Sequence, residues 1–348
     1  MTKRAKQYPL VDILKFISAL MIIAIHTQPF LEYQDSILYY PYAYMKCFSI
    51  PFFFVSSSFL FFSKFLLLEI NEQKKYYVKW IKRIGGLYLV YSLLNAVISI
   101  IFDGLDFFEN IYGIELLEYI LLGKNNGYLW FVAALIISIS IIVLLNTINK
   151  KFFANVIIVI LFSISFVLMI IMQFYYKFFE NCDIVISYYS YFDNVRNFIS
   201  GFFYVYLGII VVYIDKRKNS IKKIFYIVTP VIFFCSCLEY YYVVIKNIYK
   251  EEFSTFLISF VVILVMLISA NVSFKCDKSS IFRRVSNVMY FQQRYVILLV
   301  SVLVKLGVTI FANNIVQFLA VVGITILLTV LYDKLRKTRF ERVVKYLY

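Results

Sequence analysis

The chain has 348 residues, of which 62% are hydrophobic and 16% are charged, and its mean hydropathy is +0.82. Soluble domains average about 45–50% apolar and about 25% charged residues, so this composition excludes an ordinary soluble domain and favours an integral membrane protein. The formal charge of +15 can indicate nucleic-acid binding, but its distribution along this chain indicates membrane topology, so no nucleic-acid partner is predicted.

Apolar segments long enough to cross a bilayer recur along the whole chain, since a spanning helix needs about 20 residues. The predicted spans are 9–31, 45–68, 84–102, 128–145, 153–174, 197–214, 223–245, 254–272, 286–304 and 312–332. An interfacial helix is predicted within 111–122. The sequence therefore predicts an all-α polytopic membrane protein with about ten transmembrane helices. The protein is predicted to form one domain over 1–348, with a short basic cytoplasmic tail at 333–348.

The basic residues between these spans alternate in number from one side to the other. With a cytoplasmic N-terminus, the inner segments hold roughly 25 Lys and Arg residues and the outer segments hold 5, whereas the outer segments are acidic. Short cytoplasmic loops carry such an excess of positive charge. Both termini are therefore predicted to be cytoplasmic.

The five cysteines show no paired spacing, which argues against a disulfide framework. Cys235 and Cys237 lie two positions apart on a predicted helix, so their side chains diverge. No metal site is predicted.

The first span carries charged residues on one face. Lys15 and His26 are eleven positions apart, which leaves an angle of about 20°, and Asp12 and His26 are fourteen apart, which leaves about 40°. Charged groups inside a span usually face the protein interior or a wet cavity. We therefore expect this face to point into the protein, with His26 about 16 Å along the helix from Lys15.

Two interpretations remain open for this face. His26 is the only histidine of the chain; it either transfers protons, as imidazole does near neutral pH, or caps the span through a hydrogen bond to a neighbouring helix. Asp12 and Lys15 either serve a ligand or form a structural ion pair at positions i and i+3.

Other polar residues in or beside spans are also ambiguous. Glu239, in the seventh span, either orients His26 or pairs with Arg294 or Lys46. Trp130, at the start of the fourth span, either stacks on a sugar or belongs to the aromatic belt at the interface. The arginines at 196 and 294 either hold a substrate or pair with an acid.

Several short motifs occur in the order in which one known family has them. They are Asp12 with Lys15 and His26, Pro51-Phe52-Phe53-Phe54-Val55 with Ser57, Lys79-Lys82-Arg83 before Ile84, Leu129-Trp130-Phe131, Arg196-Asn197 with Leu207-Gly208, and Ser286 to Tyr290. Together they resemble the acyltransferase 3 family of integral-membrane acyltransferases, and the resemblance covers most of the chain.

The resemblance implies an O-acetyltransferase-like enzyme of the bacterial plasma membrane. Such an enzyme moves an acyl group, commonly acetyl, from a CoA thioester to a hydroxyl of a cell-envelope or exopolysaccharide carbohydrate. The implied partners are acyl-CoA, a carbohydrate or lipid-linked glycan acceptor, and membrane lipids. Acetyl-CoA would be a co-substrate, and no permanently bound cofactor is expected.

The resemblance also implies residue roles. Lys79, Lys82 and Arg83 would hold the CoA phosphates, although positive-inside topology explains the same charges without a ligand. Lys15 would hold the pantetheine arm or the thioester. The candidate catalytic residues are His26, as the base, and Glu239. The candidate substrate-binding residues are Asp12, which can also fix Lys15, and Trp130, Arg196, Asn197 and Arg294.

Three positions depart from the family pattern. Ser58 stands in place of glycine, Trp80 in place of arginine, and Gln293 in place of a late histidine. Two other classes of protein therefore remain as alternatives. One is a transporter or flippase for an anionic small molecule or lipid-linked sugar, and the other is a non-catalytic envelope-assembly protein that keeps the scaffold.

Overall fold

The computed structural model describes residues 7–37, 39–103, 113–123, 126, 128–146, 155–168, 183–217, 219–242, 256–272, 274, 276 and 278–338. The regular elements within these ranges are helices. They are α1 (Pro9–Thr27), α2 (Tyr39–Phe65), α3 (Ile70–Asp103), α4 (Ile114–Leu117), α5 (Trp130–Asn146), α6 (Asn155–Leu168), α7 (Asp183–Asp215), α8 (Asn219–Tyr240), α9 (Phe256–Asn271), α10 (Ser279–Lys305) and α11 (Asn314–Leu335).

The all-α prediction is confirmed for these residues, because each predicted span overlaps one helix in chain order. Helices α1, α2, α3, α7, α10 and α11 contain segments long and apolar enough to cross a membrane, and α5, α6, α8 and α9 contain shorter apolar ones. The number of crossings and the side of the termini stay predictions. The predicted interfacial helix coincides in part with α4 and the π-helical turn Glu118–Leu122 that follows it. Residues 339–348, most of the predicted tail, lie outside the described ranges.

An exposed apolar stripe on α3 supports the membrane prediction. Leu89, Leu93, Val97 and Ile101 follow at intervals of four and are each more than half exposed. Four residues make slightly more than one helical turn, so these side chains form one continuous strip. A soluble monomer rarely exposes so much contiguous apolar surface, whereas lipid covers it without cost.

Helix α1 ends earlier than the hydropathy of the sequence predicts. Pro9 occupies the first turn, where its missing N–H leaves no hydrogen bond unmade. At the other end Gln28 adopts a left-handed conformation with φ of 44°, and its N–H donates to the Ala24 carbonyl at 2.9 Å. Pro29 follows and cannot continue the helix. The predicted end at residue 31 is therefore wrong by four residues.

Three helices begin well before the predicted spans that they contain. Helix α3 begins at Ile70, before the span 84–102, α7 at Asp183, before 197–214, and α10 at Ser279, before 286–304. In α3 and α10 the hydropathy of the chain falls where charged residues begin. The helix itself continues there, because Lys, Arg, Gln and Glu are good helix formers. Each of these helices therefore extends beyond its apolar segment.

The chain divides into two compact units, and α2 contributes to both, with the division between Ser56 and Ser57. The first unit contains the start of α2 with α1, α8, most of α9, α10 and α11. The second contains the rest of α2 with α3 to α7.

In the first unit, α1 packs along α10, which packs along α11. The rings of Phe16 and Phe282 lie 5.4 Å apart near the starts of α1 and α10. Between α10 and α11, Val288 and Tyr332 form a buried cluster, and Gln292 donates to the Tyr332 hydroxyl at 2.9 Å. Because α1 also contacts α11, the three helices pack against one another.

In the second unit, aromatic rings join α6 to α7. Phe162 stacks on Phe203 with ring centroids 5.3 Å apart and contacts Tyr206 at 4.7 Å. Phe166 extends the same contact to Phe203 at 5.9 Å. Such ring pairs add stability beyond the area that they bury.

Candidate functional site

A buried charged group lies near the start of α1. Asp12 and Lys15 are 3% and 8% exposed, as expected for the face predicted to point into the protein. The carboxylate of Asp12 accepts a hydrogen bond from Nη2 of Arg283 at 3.2 Å, and Nε of the same guanidinium lies 3.2 Å from its other oxygen. Lys15 lies one turn further along α1 and interacts electrostatically with the same carboxylate. Asp12, Lys15 and Arg283 therefore form a group of three charged residues that joins α1 to α10.

Lys15 also contacts an aromatic pair. Its ammonium lies 5.2 Å from the centroid of the Phe53 ring, on α2, and that ring lies 6.3 Å from the ring of Tyr290, on α10. An ammonium over a ring face is attracted by the ring quadrupole. Phe53 is therefore a point at which α1, α2 and α10 converge.

His26 lies near the other end of α1 and is partly buried. The hydroxyl of Tyr42, on α2, donates to the Ala24 carbonyl at 3.1 Å, and the Tyr42 ring packs edge-on against Phe30 at 5.0 Å. These contacts fix the end of α1 against α2. The eleven residues from Lys15 to His26 correspond to about 16 Å, so the two groups serve different parts of a ligand or different ligands.

Glu239 has a defined structural contact. Its Oε2 accepts the backbone N–H of Leu257 at 2.8 Å, at the start of α9. The first N–H groups of a helix have no partner within the helix, so a carboxylate at this place stabilises it. An orienting role of Glu239 toward His26 stays a prediction, as do the pairings with Arg294 and Lys46.

Two neighbouring polar residues of α10, Gln293 and Arg294, have side-chain atoms that are buried. Gln293 is 1% exposed. Neither polar atom of its side chain, nor the buried Nη1 of Arg294, has a hydrogen-bond partner among the described residues. Buried polar atoms are nearly always paired in native proteins. Among the described residues, these side chains of Gln293 and Arg294 therefore keep hydrogen-bond donors and an acceptor without a partner.

In the second unit, Lys79, Lys82 and Arg83 are exposed on α3. They precede the predicted span 84–102, and in the structure they lie within α3, about three turns after its start. Their spacing of three and four residues places them on one face. Trp80, which replaces an expected arginine, packs against Phe61 with ring centroids 5.0 Å apart. The departure therefore replaces a charge with an aromatic contact.

Trp130 begins α5 and is held by the turn that precedes it. Gly123 has a φ of +70°, and a Cβ there would lie 2.7 Å from the Trp130 Cα. Asn126, fully buried, donates to Ser92 Oγ at 2.7 Å and receives Nδ2 of Asn95 at 3.0 Å. This hydrogen-bond network anchors the turn to α3 and fixes the position of Trp130.

Ser58 occupies the family's glycine position and is fully buried. Its hydroxyl donates to the Val205 carbonyl of α7 at 2.5 Å, so the added polar group is satisfied across two helices. The backbone of Arg196 and Asn197 lies in α7, but their side chains lie outside the described part of the structure. Their predicted roles stay predictions.

Two features were not predicted from the sequence. Arg283 lies outside the predicted spans, where positive-inside topology accounts for its charge, although an acid inside a span such as Asp12 requires a partner. The hydrogen-bond network at Asn126 could not be predicted from the sequence, because polar residues in a short turn follow no helical period.

The fold and these contacts define a multi-helix membrane protein with a buried acid–base group and a histidine on one helix face. Residues 8–334, nearly the whole chain, match the sequence profile of a protein family described as an acyltransferase domain. The chain therefore belongs to the acyltransferase 3 family of membrane acyltransferases. No curated protein and no solved structure matches it significantly.

Proposed function

We propose that this protein transfers an acyl group, with acetyl as the leading candidate, from a CoA thioester to a hydroxyl of a cell-envelope or exopolysaccharide carbohydrate. The observation that carries the proposal is the single face of α1 that presents buried Asp12 and Lys15 at one end and His26 at the other. The family match supports the acyl transfer, and the donor and acceptor are our proposal.

The reaction needs a base for the acceptor hydroxyl, and His26 is the proposed one. Its imidazole removes the hydroxyl proton as the oxygen attacks the thioester carbonyl. A carbon–oxygen bond forms, the carbon–sulfur bond breaks, and the imidazolium returns the proton to the departing CoA thiolate. The products are the ester and free CoA, so His26 regains its starting state.

Two groups are proposed to hold the donor. Lys15, buried against Phe53, offers an ammonium to the pantetheine arm or thioester. Lys79, Lys82 and Arg83 are exposed on one face of α3 and suit the CoA phosphates, since cations form charge-assisted hydrogen bonds with phosphate oxygens. Arg283 supports Lys15 indirectly by fixing Asp12.

Transfer of radiolabelled acetyl from acetyl-CoA to isolated envelope glycan tests the proposal, with the full-length protein in lipid. His26→Ala should lower the rate by about 10²- to 10⁴-fold, the usual contribution of a general base. His26→Gln should fail equally, because an amide forms hydrogen bonds but does not exchange the proton.

Thr27→Ala is the matched control, because the Thr27 hydroxyl donates to the Ile23 carbonyl within α1 at 3.0 Å. This variant should keep most of the activity. Full activity of His26→Gln would instead assign His26 the role of a helix cap, and wild-type transfer by His26→Ala would refute its role as the base.

A further inference from the structure

The side chain of Gln293, on α10, is buried without a hydrogen bond. It is 1% exposed, and neither Nε2 nor Oε1 has a partner among the described residues. Its neighbour Gln292, by contrast, donates to the Tyr332 hydroxyl at 2.9 Å. A buried amide without hydrogen bonds destabilises the folded protein, and native proteins rarely contain one. The amide of Gln293 therefore suits a molecule that reaches it from outside the chain.

Gln293 lies on the face of α10 that packs against α1. The ring of Phe282 lies 5.4 Å from that of Phe16, and Arg283 binds the carboxylate of Asp12. At 100° per residue, Gln293 lies about 20° from Phe282 and about 80° from Arg283, within the arc that those two residues span. The same face that contacts α1 near the start of α10 therefore carries Gln293 further along.

Gln293 also lies near the level of His26. The two helices run in the same direction, because both contacts lie near their starts and α1 packs along α10. Measured from the aromatic contact, His26 lies about 15 Å along α1 and Gln293 about 16 Å along α10. Measured from the ion pair, these distances are about 21 and 15 Å. The two residues therefore lie within about one helical turn of the same level.

This level suits the reacting end of the acyl donor. His26 is the proposed base, and a base and an oxyanion donor act on opposite atoms of one attack, the hydroxyl and the carbonyl oxygen. Glutamine amides are among the groups that stabilise such an oxyanion. In a buried place the hydrogen bond is strengthened, because little water competes with it. An uncharged amide also provides this donor without adding a second proton-transfer group beside the base.

We propose that Gln293 is a catalytic residue that donates a hydrogen bond from Nε2 to the thioester carbonyl oxygen of the acyl donor. As the acceptor oxygen attacks, the π electrons of the carbonyl move to its oxygen, and the N–H stabilises that negative charge. The C=O bond then re-forms, the carbon–sulfur bond breaks, and the imidazolium proton passes to the CoA thiolate. The inference rests on the proposed function, because it takes a thioester as the donor and His26 as the base.

Gln293→Met and Gln292→Met form a matched pair, adjacent on α10 and chemically identical. Methionine has nearly the length of glutamine and lacks the amide. In the acetyl-transfer assay, Gln293→Met should lower kcat about 10²- to 10³-fold, the usual loss for one oxyanion donor, with the KM for acetyl-CoA within about two-fold of wild type. Gln292→Met should keep the wild-type kcat.

The two variants should differ in the opposite sense in stability. Gln293→Met removes a buried polar group that has no partner among the described residues, so the thermal unfolding temperature should rise. Gln292→Met loses the hydrogen bond to Tyr332, so its unfolding temperature should fall. A loss of kcat in Gln293→Met together with a lower unfolding temperature would assign the loss to the fold and overturn the proposal.

Infrared difference spectroscopy of bound acetyl-CoA, isotope-labelled at the thioester carbonyl carbon, needs neither acceptor nor turnover. With the full-length protein in lipid nanodiscs, the carbonyl band should lie at a lower wavenumber in the wild type than in Gln293→Met, because the hydrogen bond polarises the carbonyl. Gln292→Met should give the wild-type band.

Equal bands in the wild type and Gln293→Met would overturn the proposal, as would wild-type kcat in Gln293→Met. If transfer depends on His26 while the band does not shift, this inference fails and the proposed function stands. If the wild type binds no acetyl-CoA, the proposed function fails and the inference fails with it.

Discussion

Replacement of Arg283 by glutamine should destabilise the protein more than the same replacement of its neighbour Arg284. Arg283 binds a buried carboxylate, that of Asp12, whose side chain is 4% exposed. Arg284 binds Asp333, and these two side chains are 30% and 35% exposed. The two substitutions are chemically identical and adjacent on α10, so they differ in the burial of the acid that is left behind.

The expected magnitudes follow from that burial. Removing one partner of a fully buried ion pair costs about 3–5 kcal/mol, because the other charge stays buried without compensation. The Arg283 side chain is 46% exposed, so solvent screens part of the pair and we expect about 1–3 kcal/mol. The exposed pair of Arg284 should contribute about 0–1 kcal/mol.

Reversible unfolding in mixed micelles of detergent and SDS measures both free energies of unfolding. A double-mutant cycle isolates the pair: Asp12→Asn, Arg283→Gln and the double variant. The double variant should be more stable than the sum of the single effects predicts, by about 1–2 kcal/mol, because neither charge is then left alone.

Equal destabilisation by the two arginine substitutions would refute this reasoning. Additive effects in the cycle would refute it as well, since they would show that Asp12 and Arg283 do not stabilise each other. A large effect of Arg283→Gln without coupling would assign the loss to packing of the arginine stem against neighbouring side chains.

Two more substitutions test the second unit. Gly123→Ala should lower the thermal unfolding temperature strongly, because the added Cβ would lie 2.7 Å from the Trp130 Cα. Gly113 has a φ of +58° and open space around it, so Gly113→Ala should cost only the backbone strain. Equal effects of the two substitutions would contradict the steric argument. Lys82→Gln should raise the KM for acetyl-CoA about two- to five-fold at unchanged kcat, as expected when uniform donor binding is lost from an exposed site. Lys74→Gln, on another face of α3, should leave the KM unchanged, and an equal rise would assign the effect to overall charge.

Helical periodicity was enough to predict the buried face of α1. Asp12, Lys15 and Ile22 fall within an arc of about 80° at 100° per residue, and all three are buried. The prediction worked because a charged residue in a span has few places to lie other than the protein interior. The charged residues of the sequence therefore predicted which face of α1 is buried as well as where the helix lies in the chain.

The partners of these residues could not be predicted in the same way. Arg283 lies 271 positions from Asp12, and the contact exists because α10 packs beside α1. Hydropathy places Arg283 outside a span, where the positive-inside rule already explains it. Lys46 posed the same difficulty, since its location beside Tyr42 depends on how α2 packs against α1.

The ion pair at the start of α1 sets the relative height of the groups at its other end. Helices α1 and α10 run in the same direction, and the contact between Asp12 and Arg283 fixes their register. From that contact, His26 lies fourteen residues or about 21 Å along α1, and Arg294 lies eleven residues or about 16 Å along α10.

The remaining difference of about 5 Å is one that an extended arginine side chain can bridge, and a slip of α10 by one helical turn away from His26, about 5.4 Å, would roughly double it. An acid inside the first span is costly to insert. The ion pair with Arg283 offsets this cost and sets the register between His26, the proposed base, and Arg294, a candidate substrate-binding residue.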